Sequence, residues 1–190
     1  MPSSNFAAIS PIMSAVMQIK PKSVLDIGCG NGKYGFLVQE YMRYWMGIEE
    51  PHIDAIEIFD PYLGIAQSMI YKKIIQHDAL EALWQMEDKE YDLILAVDIL
   101  EHYEINEGAL MLDEMKRVGK NIIVCTPIKV SNQGAVFGNE YETHRSQWEA
   151  DDILQAVGIK TKDEIPENVC IYINNIENLQ IVAIVEDVKQ

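Results

Sequence analysis

The feature that most constrains the fold is a short apolar run that breaks into alternating glycines. Residues 24–27 predict a buried strand, and Gly28, Gly30 and Gly32 follow it at every second position. A helical pattern comes next. Glycine reaches positive φ values and lets the backbone approach a ligand closely, and a glycine turn before a helix points backbone N–H groups at that ligand. The stretch therefore predicts a binding loop for a polar small molecule at the carboxyl end of a first strand.

The spacing of these glycines distinguishes two kinds of nucleotide-binding loop. A dinucleotide fingerprint requires G-x-G-x-x-G, but Lys33 occupies the position of its third glycine. The chain has G-x-G-x-G instead, with Asp26 two residues before the first glycine. This combination resembles motif I of class I S-adenosylmethionine-dependent methyltransferases and argues against a nicotinamide oxidoreductase. A purely structural glycine turn in another α/β protein is the alternative.

Strand and helix patterns alternate along the rest of the chain. Further strands are predicted at residues 53–59, 73–77, 91–98 and 121–125, and a closing hairpin at 169–173 and 179–185. Amphipathic segments separate the first five strands, which is typical of parallel sheets covered by helices on both faces. The order predicts an α/β, Rossmann-like, doubly wound sheet, mostly parallel, with an antiparallel strand in the C-terminal hairpin. It resembles the seven-stranded methyltransferase fold over essentially the whole chain.

Capping residues and glycines predict where the first and last helices begin and end. Residues 1–9 are expected to form a loose arm, and Ser10 with Pro11 predicts the start of a first helix. Ser146 and Glu149 have the spacing of a capping box, so the last helix is expected to begin there and to stop at Gly158. We predict one domain over residues 1–190, with the arm and first helix at 1–20 and the core at 21–190.

Composition narrows the class of partner. The formal net charge of −15 repels phosphate backbones, so a nucleic-acid partner is not expected. Cys29, Cys125 and Cys170 stand far apart without a C-x-x-C pair, which argues against zinc and dithiol sites. No apolar run approaches transmembrane length and no basic leader is evident, so we expect a cytoplasmic protein without a membrane partner.

Polar residues follow the predicted strands at the edge where ligands bind in open α/β sheets. Glu57, flanked by two isoleucines, could accept hydrogen bonds from a ribose diol, as an acidic residue does at this point in the family. Glu49, Glu50, Asp54 and Asp60 are nearby alternatives. By resemblance, Asp78 would accept from the adenine amino group and Ala79 would donate to the ring, although Asp78 could equally cap the next helix.

The resemblance also places Asp98, the last residue of the predicted fourth strand, beside the methionine part of the ligand. The cofactor site that it implies comprises Asp26, Gly28, Cys29, Gly30, Gly32, Glu57, Ile58, Asp78, Ala79 and Asp98. The ligand would be S-adenosylmethionine, with S-adenosylhomocysteine as the product.

Methyl transfer from a sulfonium mainly needs alignment, so a catalytic base is optional. His102 and His144 are the candidates for such a base. The alternative for His102 is a partly exposed loop histidine, and the alternative for His144 is surface pairing with Glu140 or Glu142. The sequence indicates no metal cluster. Sequence motifs of DNA amino- and cytosine-methylating enzymes are missing, which favours a small-molecule acceptor and leaves a protein acceptor open. The alternative function is an adenosyl-binding or partner-binding module without turnover.

Overall fold

The computed structural model describes residues 4–159, 165, 169–176 and 178–186. Strands β1 to β7 comprise Ser23–Ile27, His52–Ile56, Lys73–Ile75, Tyr91–Val97, Gly119–Pro127, Val169–Ile176 and Leu179–Glu186. Helices α1 to α6 comprise Ile9–Ile19, Lys33–Tyr44, Ile65–Ile70, Ala79–Leu83, Ile105–Val118 and Ala150–Ala156. Short 3-10 turns lie at Phe6–Ala8, Asp60–Tyr62, Leu100–His102 and Glu140–Glu142.

The strands form one seven-stranded sheet of order β3-β2-β1-β4-β5-β7-β6. β1 to β5 pair in parallel, whereas β7 runs antiparallel to both β5 and β6. The predicted fold class, including the closing hairpin, is confirmed.

The register of the central strands brings their carboxyl ends level. Ile27 at the end of β1 pairs with Ile56 at the end of β2 and with Ala96 near the end of β4. The residues that follow these three strands therefore meet at one edge of the sheet. This is the edge at which the sequence predicts the ligand.

Side chains from the sheet bury themselves against helices on both faces. Along β4, Ile94 and Ala96 join the core that includes residues of α4, α5 and α6, whereas Leu93 and Leu95 join the core that includes residues of α1 and α2. A strand covered on both faces needs apolar side chains at successive positions. The continuous apolar run of β4 thus has a direct structural cause.

Two predicted helix starts are wrong. A 3-10 turn at Phe6–Ala8 leads directly into α1, so the helix begins at Ile9 rather than at Pro11 with Ser10 as its N-cap, and residues 6–9 are not a loose arm. α6 begins at Ala150, where Asp152 accepts from the N–H of Glu149 at 2.9 Å. Ser146 instead accepts a 2.7 Å hydrogen bond from the buried indole N–H of Trp148, because a buried indole needs such a partner.

The second strand is also shorter than predicted, because it ends at Ile56 instead of reaching Phe59. The backbone N–H of Phe59 donates to the Glu57 side chain at 2.8 Å, which turns the chain away from the sheet. The predicted helix stop at Gly158 is confirmed as the left-handed residue after α6, with φ of +84°. Within the described residues, no helix combines the length and apolar character needed to cross a bilayer.

The close contact between Gly108 and the Trp148 ring allows a test of how tightly the core is packed. A Cβ at Gly108 in α5 would stand 2.5 Å from the Trp148 ring. We expect Gly108→Ala to lower the free energy of unfolding by about 1–3 kcal/mol, although alanine is the better helix former. Gly134→Ala is the control, since nothing lies within 4 Å of its added Cβ. Equal denaturation midpoints for the two variants would contradict this packing.

Candidate functional site

A cavity of about 260 Å³ opens at the carboxyl ends of the parallel strands. Its wall contains nine of the ten predicted cofactor residues: Asp26, Gly28, Cys29, Gly30, Glu57, Ile58, Asp78, Ala79 and Asp98. The tenth, Gly32, does not line the cavity. It takes a φ of +78° at the start of α2 and donates its N–H to the carbonyl of Cys29 at 2.8 Å, so it shapes the turn.

The glycine loop has the backbone conformation that its sequence predicts. Gly28 and Gly30 have φ values of +66° and +48°, which side chains rarely adopt. A Cβ at Gly28 would also collide with the side chain of Ile99. The N–H of Gly28 donates to the carbonyl of Ile56 at 2.8 Å, which fixes the loop to the end of β2.

Glu57 joins the glycine loop to the second strand. One carboxylate oxygen accepts from the N–H of Gly30 at 2.9 Å, and the other accepts from Phe59. The side chain is buried, and this burial raises the pKa of Glu57 above its ordinary value. The four nearby alternatives are not among the cavity-lining residues: Glu49, Glu50, Asp54 and Asp60. Asp54 instead accepts from the Tyr91 hydroxyl at 2.8 Å.

Asp26 lies beneath the loop and binds a protein partner. Its carboxylate accepts a 2.6 Å hydrogen bond from the Tyr71 hydroxyl. Burial raises the pKa of Asp26 to about 6, although the bond from Tyr71 and the N–H of Gly35 act in the opposite direction. Asp26 therefore links β1 to the segment after α3 as well as lining the cavity.

Asp78 adopts the capping role that the sequence left open. One of its oxygens accepts from the N–H groups of Leu80 and Glu81 at 2.9 and 3.2 Å, at the start of α4. Its other oxygen accepts from the Tyr103 hydroxyl at 2.9 Å. The N–H of Ala79 donates to the same hydroxyl at 3.3 Å. A ligand that uses Asp78 and Ala79 would therefore meet Tyr103 as well.

Asp98 presents an unpartnered acceptor at the end of β4. Its Oδ1 is buried and has no hydrogen-bond partner among the described residues. The residue takes a φ of +54°, and its N–H donates to the carbonyl of Cys125 at 2.8 Å. Burial raises the pKa of Asp98 to about 6, and the positive charge of Lys33 partly offsets this rise. An unpartnered buried carboxylate oxygen is costly, so this position favours a cationic ligand group that can donate a hydrogen bond to Oδ1.

The two predicted base candidates lie side by side. The rings of His102 and His144 have centroids 5.2 Å apart. His102 lines the cavity, whereas His144 does not. Burial lowers the pKa of His102 to about 4, so the ring is neutral near pH 7. Glu101 adjoins them and is fully buried, and burial together with Asp98 raises its pKa to about 8.

Several lining residues were not among the predicted cofactor or catalytic residues. The Lys33 ammonium group donates to the carbonyl of Ser4, so the N-terminal segment contacts the cavity wall. The Tyr62 hydroxyl donates to Glu142 at 2.9 Å. The Arg145 guanidinium donates to the carbonyl of His102 at 2.7 Å. Residues 126–145, whose sequence shows no strong helix or strand period, thus supply part of the wall. Long stretches of this kind in a compact domain are usually functional or mobile.

A family model described as a methyltransferase domain matches residues 24–121, which is just over half of the chain. The chain belongs to this methyltransferase family. The matched residues run from β1 into β5 and contain the glycine loop, Glu57, Asp78 and Asp98.

Relatives and solved structures agree with this assignment. Ubiquinone biosynthesis O-methyltransferases from two strains of Rickettsia bellii are 28% identical over 132 residues, which cover 68% of this chain and 52% of theirs. The chain thus spans about half the length of these curated relatives. A SAM-dependent methyltransferase from Archaeoglobus fulgidus shares the fold at a TM-score of 0.65 and 16% identity, over 94% of this chain and 92% of that one. Magnesium protoporphyrin IX methyltransferase from Synechocystis PCC 6803, solved with bound SAM, superposes at a TM-score of 0.60 and 16% identity, over 95% of this chain and 77% of that one.

Because Asp26 is buried, we expect the free energy of unfolding to depend on pH. Its pKa rises from an ordinary 3.8 to about 6 on folding, so the folded state holds the proton more tightly. The resulting stabilisation is present below pH 4 and is lost as the pH rises through 6. Compared with Asp26→Asn, the wild type should lose up to about 3 kcal/mol of unfolding free energy between pH 4 and pH 7.

Urea denaturation at several pH values measures this difference. Asp60→Asn, which removes an exposed carboxylate outside the cavity, is the matched control and should follow the wild type. Parallel stability curves for the wild type and Asp26→Asn would contradict the prediction.

Proposed function

We propose that the chain binds S-adenosylmethionine in the cavity at the carboxyl edge of its sheet and transfers the methyl group to a small-molecule acceptor. The observation that carries this proposal is the convergence of Glu57 and Asp98 on one cavity in a chain of the methyltransferase family. The two carboxylates suit different parts of the ligand. Glu57 suits the ribose diol, and Asp98 suits the cationic amino-acid tail.

The adenosine half would be held at the ends of β2 and β3. Both Glu57 oxygens already accept one backbone N–H each, and each retains acceptor capacity for a ribose hydroxyl. Ile58 would pack beside the nucleoside. Asp78 and Ala79 would meet the adenine edge together with the Tyr103 hydroxyl.

The methionine half would be held at the glycine loop and β4. The unpartnered Oδ1 of Asp98 would accept from the α-ammonium group, and this contact would offset the cost of the buried carboxylate. The positive φ values of Gly28 and Gly30 let the loop backbone approach the ligand closely. The sulfonium and its methyl group would then project toward the His102 side of the cavity.

The chemistry requires little of the protein beyond alignment. The acceptor atom attacks the methyl carbon in line with the carbon–sulfur bond, and the bonding electrons return to sulfur as S-adenosylhomocysteine leaves. A base is needed only when the acceptor must lose a proton. His102, which is neutral near pH 7 and lines the cavity, is the proposed base, and His144 stands behind it.

Four expectations concern the acceptor, the partners, the location and the domain organisation. The names of the Rickettsia bellii relatives support an oxygen acceptor on a small molecule. The net charge of −15 supports the absence of a nucleic-acid partner. A cytoplasmic location and a single domain over the chain stay predictions from the sequence.

Replacement of Glu57 tests the cofactor site. We expect Glu57→Ala to weaken binding of S-adenosylmethionine by about 1–3 kcal/mol, because buried ligand hydroxyls lose their acceptor. Isothermal titration calorimetry measures this change. Glu50→Ala, an exposed carboxylate outside the cavity, should bind as the wild type does. Unchanged affinity in a folded Glu57→Ala protein would refute the role of Glu57.

Turnover separates the enzyme from a binding module. The wild type should release S-adenosylhomocysteine when it is given S-adenosylmethionine and a panel of hydroxylated small molecules. Tight donor binding without turnover across small-molecule and protein panels would favour the alternative adenosyl-binding module. Binding of NAD in place of the adenosyl donor would contradict both functions.

A further inference from the structure

A cluster of three potential metal ligands lies beside the cavity. One ligand atom each from Glu101, His102 and His144 lies within 4.8 Å of the others. Glu101 and His102 belong to the 3-10 turn that follows β4, whereas His144 precedes α6. The backbone N–H groups of Arg145 and Ser146 both donate to the carbonyl of Glu101, at 2.8 and 3.2 Å. These bonds hold the two distant segments together.

Both imidazoles are oriented by backbone carbonyls. Nδ1 of His102 lies 3.2 Å from the carbonyl of Thr143, and Nδ1 of His144 lies 2.8 Å from that of Ser131. A carbonyl oxygen only accepts, so each Nδ1 carries the hydrogen. In a neutral ring the lone pair is then on Nε2. Metal-binding histidines show this arrangement, in which the second ring nitrogen donates to a carbonyl.

The carboxylate is positioned as well. Glu101 is 1% exposed, and one of its oxygens accepts from the Thr126 hydroxyl at 3.0 Å. None of the ion pairs found among the described residues involves Glu101. A buried carboxylate without a cationic partner is costly. A cation bound between Glu101 and the two imidazoles would remove that cost.

We propose that Glu101, His102 and His144 bind a divalent first-row transition-metal ion at the wall of the cavity. Ligand atoms bonded at about 2.0–2.2 Å to one such ion lie roughly 3–4 Å apart, so the cluster needs to contract by about 1 Å. Two imidazoles and one carboxylate suit zinc, manganese or iron better than magnesium or calcium, which prefer all-oxygen sites. Because His102 lines the cavity, an ion bound to it would lie at the cavity wall.

The ion would select the acceptor, and this role rests on the proposed function. Three protein ligands leave positions for a small molecule with two neighbouring oxygen atoms. Coordination lowers the pKa of an acceptor hydroxyl. With its Nε2 bound to the ion, His102 no longer acts as the base, so the proton of the acceptor passes to solvent. The oxygen forms the new bond to the methyl carbon, and the carbon–sulfur bond breaks toward sulfur.

Metal binding by the full chain, without any donor, tests the site directly. Protein stripped by a chelator is titrated with Co²⁺ and followed by visible absorption, and Zn²⁺ stoichiometry is measured after dialysis. We expect one ion per chain. His102→Gln and His144→Gln should each weaken binding by about tenfold or more, since each removes one of three ligands. Thermal denaturation verifies that both variants are folded.

His52→Gln is the matched control. His52 lies at the start of β2, at the opposite edge of the sheet, where it contacts Asp54 at 3.1 Å. This variant should bind the metal as the wild type does. No binding by the wild type, or equal loss in all three variants, would overturn the proposed site.

The proposed metal site and the proposed methyl transfer can be tested independently of each other. Donor binding at Glu57 and Asp98 does not involve the metal ligands, so it should persist in chelator-treated protein. Loss of turnover that Zn²⁺ or Mn²⁺ restores would support the role in acceptor activation. Full turnover in metal-free protein would overturn that role and leave the proposed methyl transfer intact.

Discussion

The parallel register of β1 with β2 and β4 is the constraint on which the rest of the structure depends. It brings the carboxyl ends of three strands level, so the residue after each strand arrives at the same edge. Gly28, Glu57 and Asp98 become neighbours for this reason, although they are far apart in the sequence. The bonds from Gly28 to the carbonyl of Ile56 and from Gly30 to Glu57 then lock the loop onto the second strand. A one-residue shift in either pairing would separate these groups.

Buried carboxyl groups are concentrated at the cavity and its wall. Asp26, Glu57, Asp98 and Glu101 are all buried enough that their pKa values are raised. Asp26 and Glu57 have neutral hydrogen-bond donors as partners, whereas Asp98 has an oxygen with none among the described residues. A ligand with a sulfonium and an ammonium group would supply the charge that such a cavity favours. The proposed metal ion would do the same for Glu101 at the adjoining wall.

The sequence predicted the fold well because its signals were local. Alternating strand and helix patterns and the glycine loop depend on neighbouring residues, and the seven-stranded sheet confirms them. Ser146 was misjudged because its hydroxyl bonds to Trp148, and capping-box spacing alone cannot reveal a tertiary partner. The Tyr103 contact to Asp78 and the adjacency of His102 and His144 were also not predictable. Each depends on how loops of different strands meet, which leaves no periodic trace in the sequence.

A crystal structure with S-adenosylhomocysteine tests the central claim most directly. We expect the ribose hydroxyls against the carboxylate of Glu57, the adenine beside Asp78 and Ala79, and the amino-acid tail between the glycine loop and Asp98. A nucleoside bound elsewhere on the protein, or an empty cavity at saturating ligand, would contradict this mode of binding.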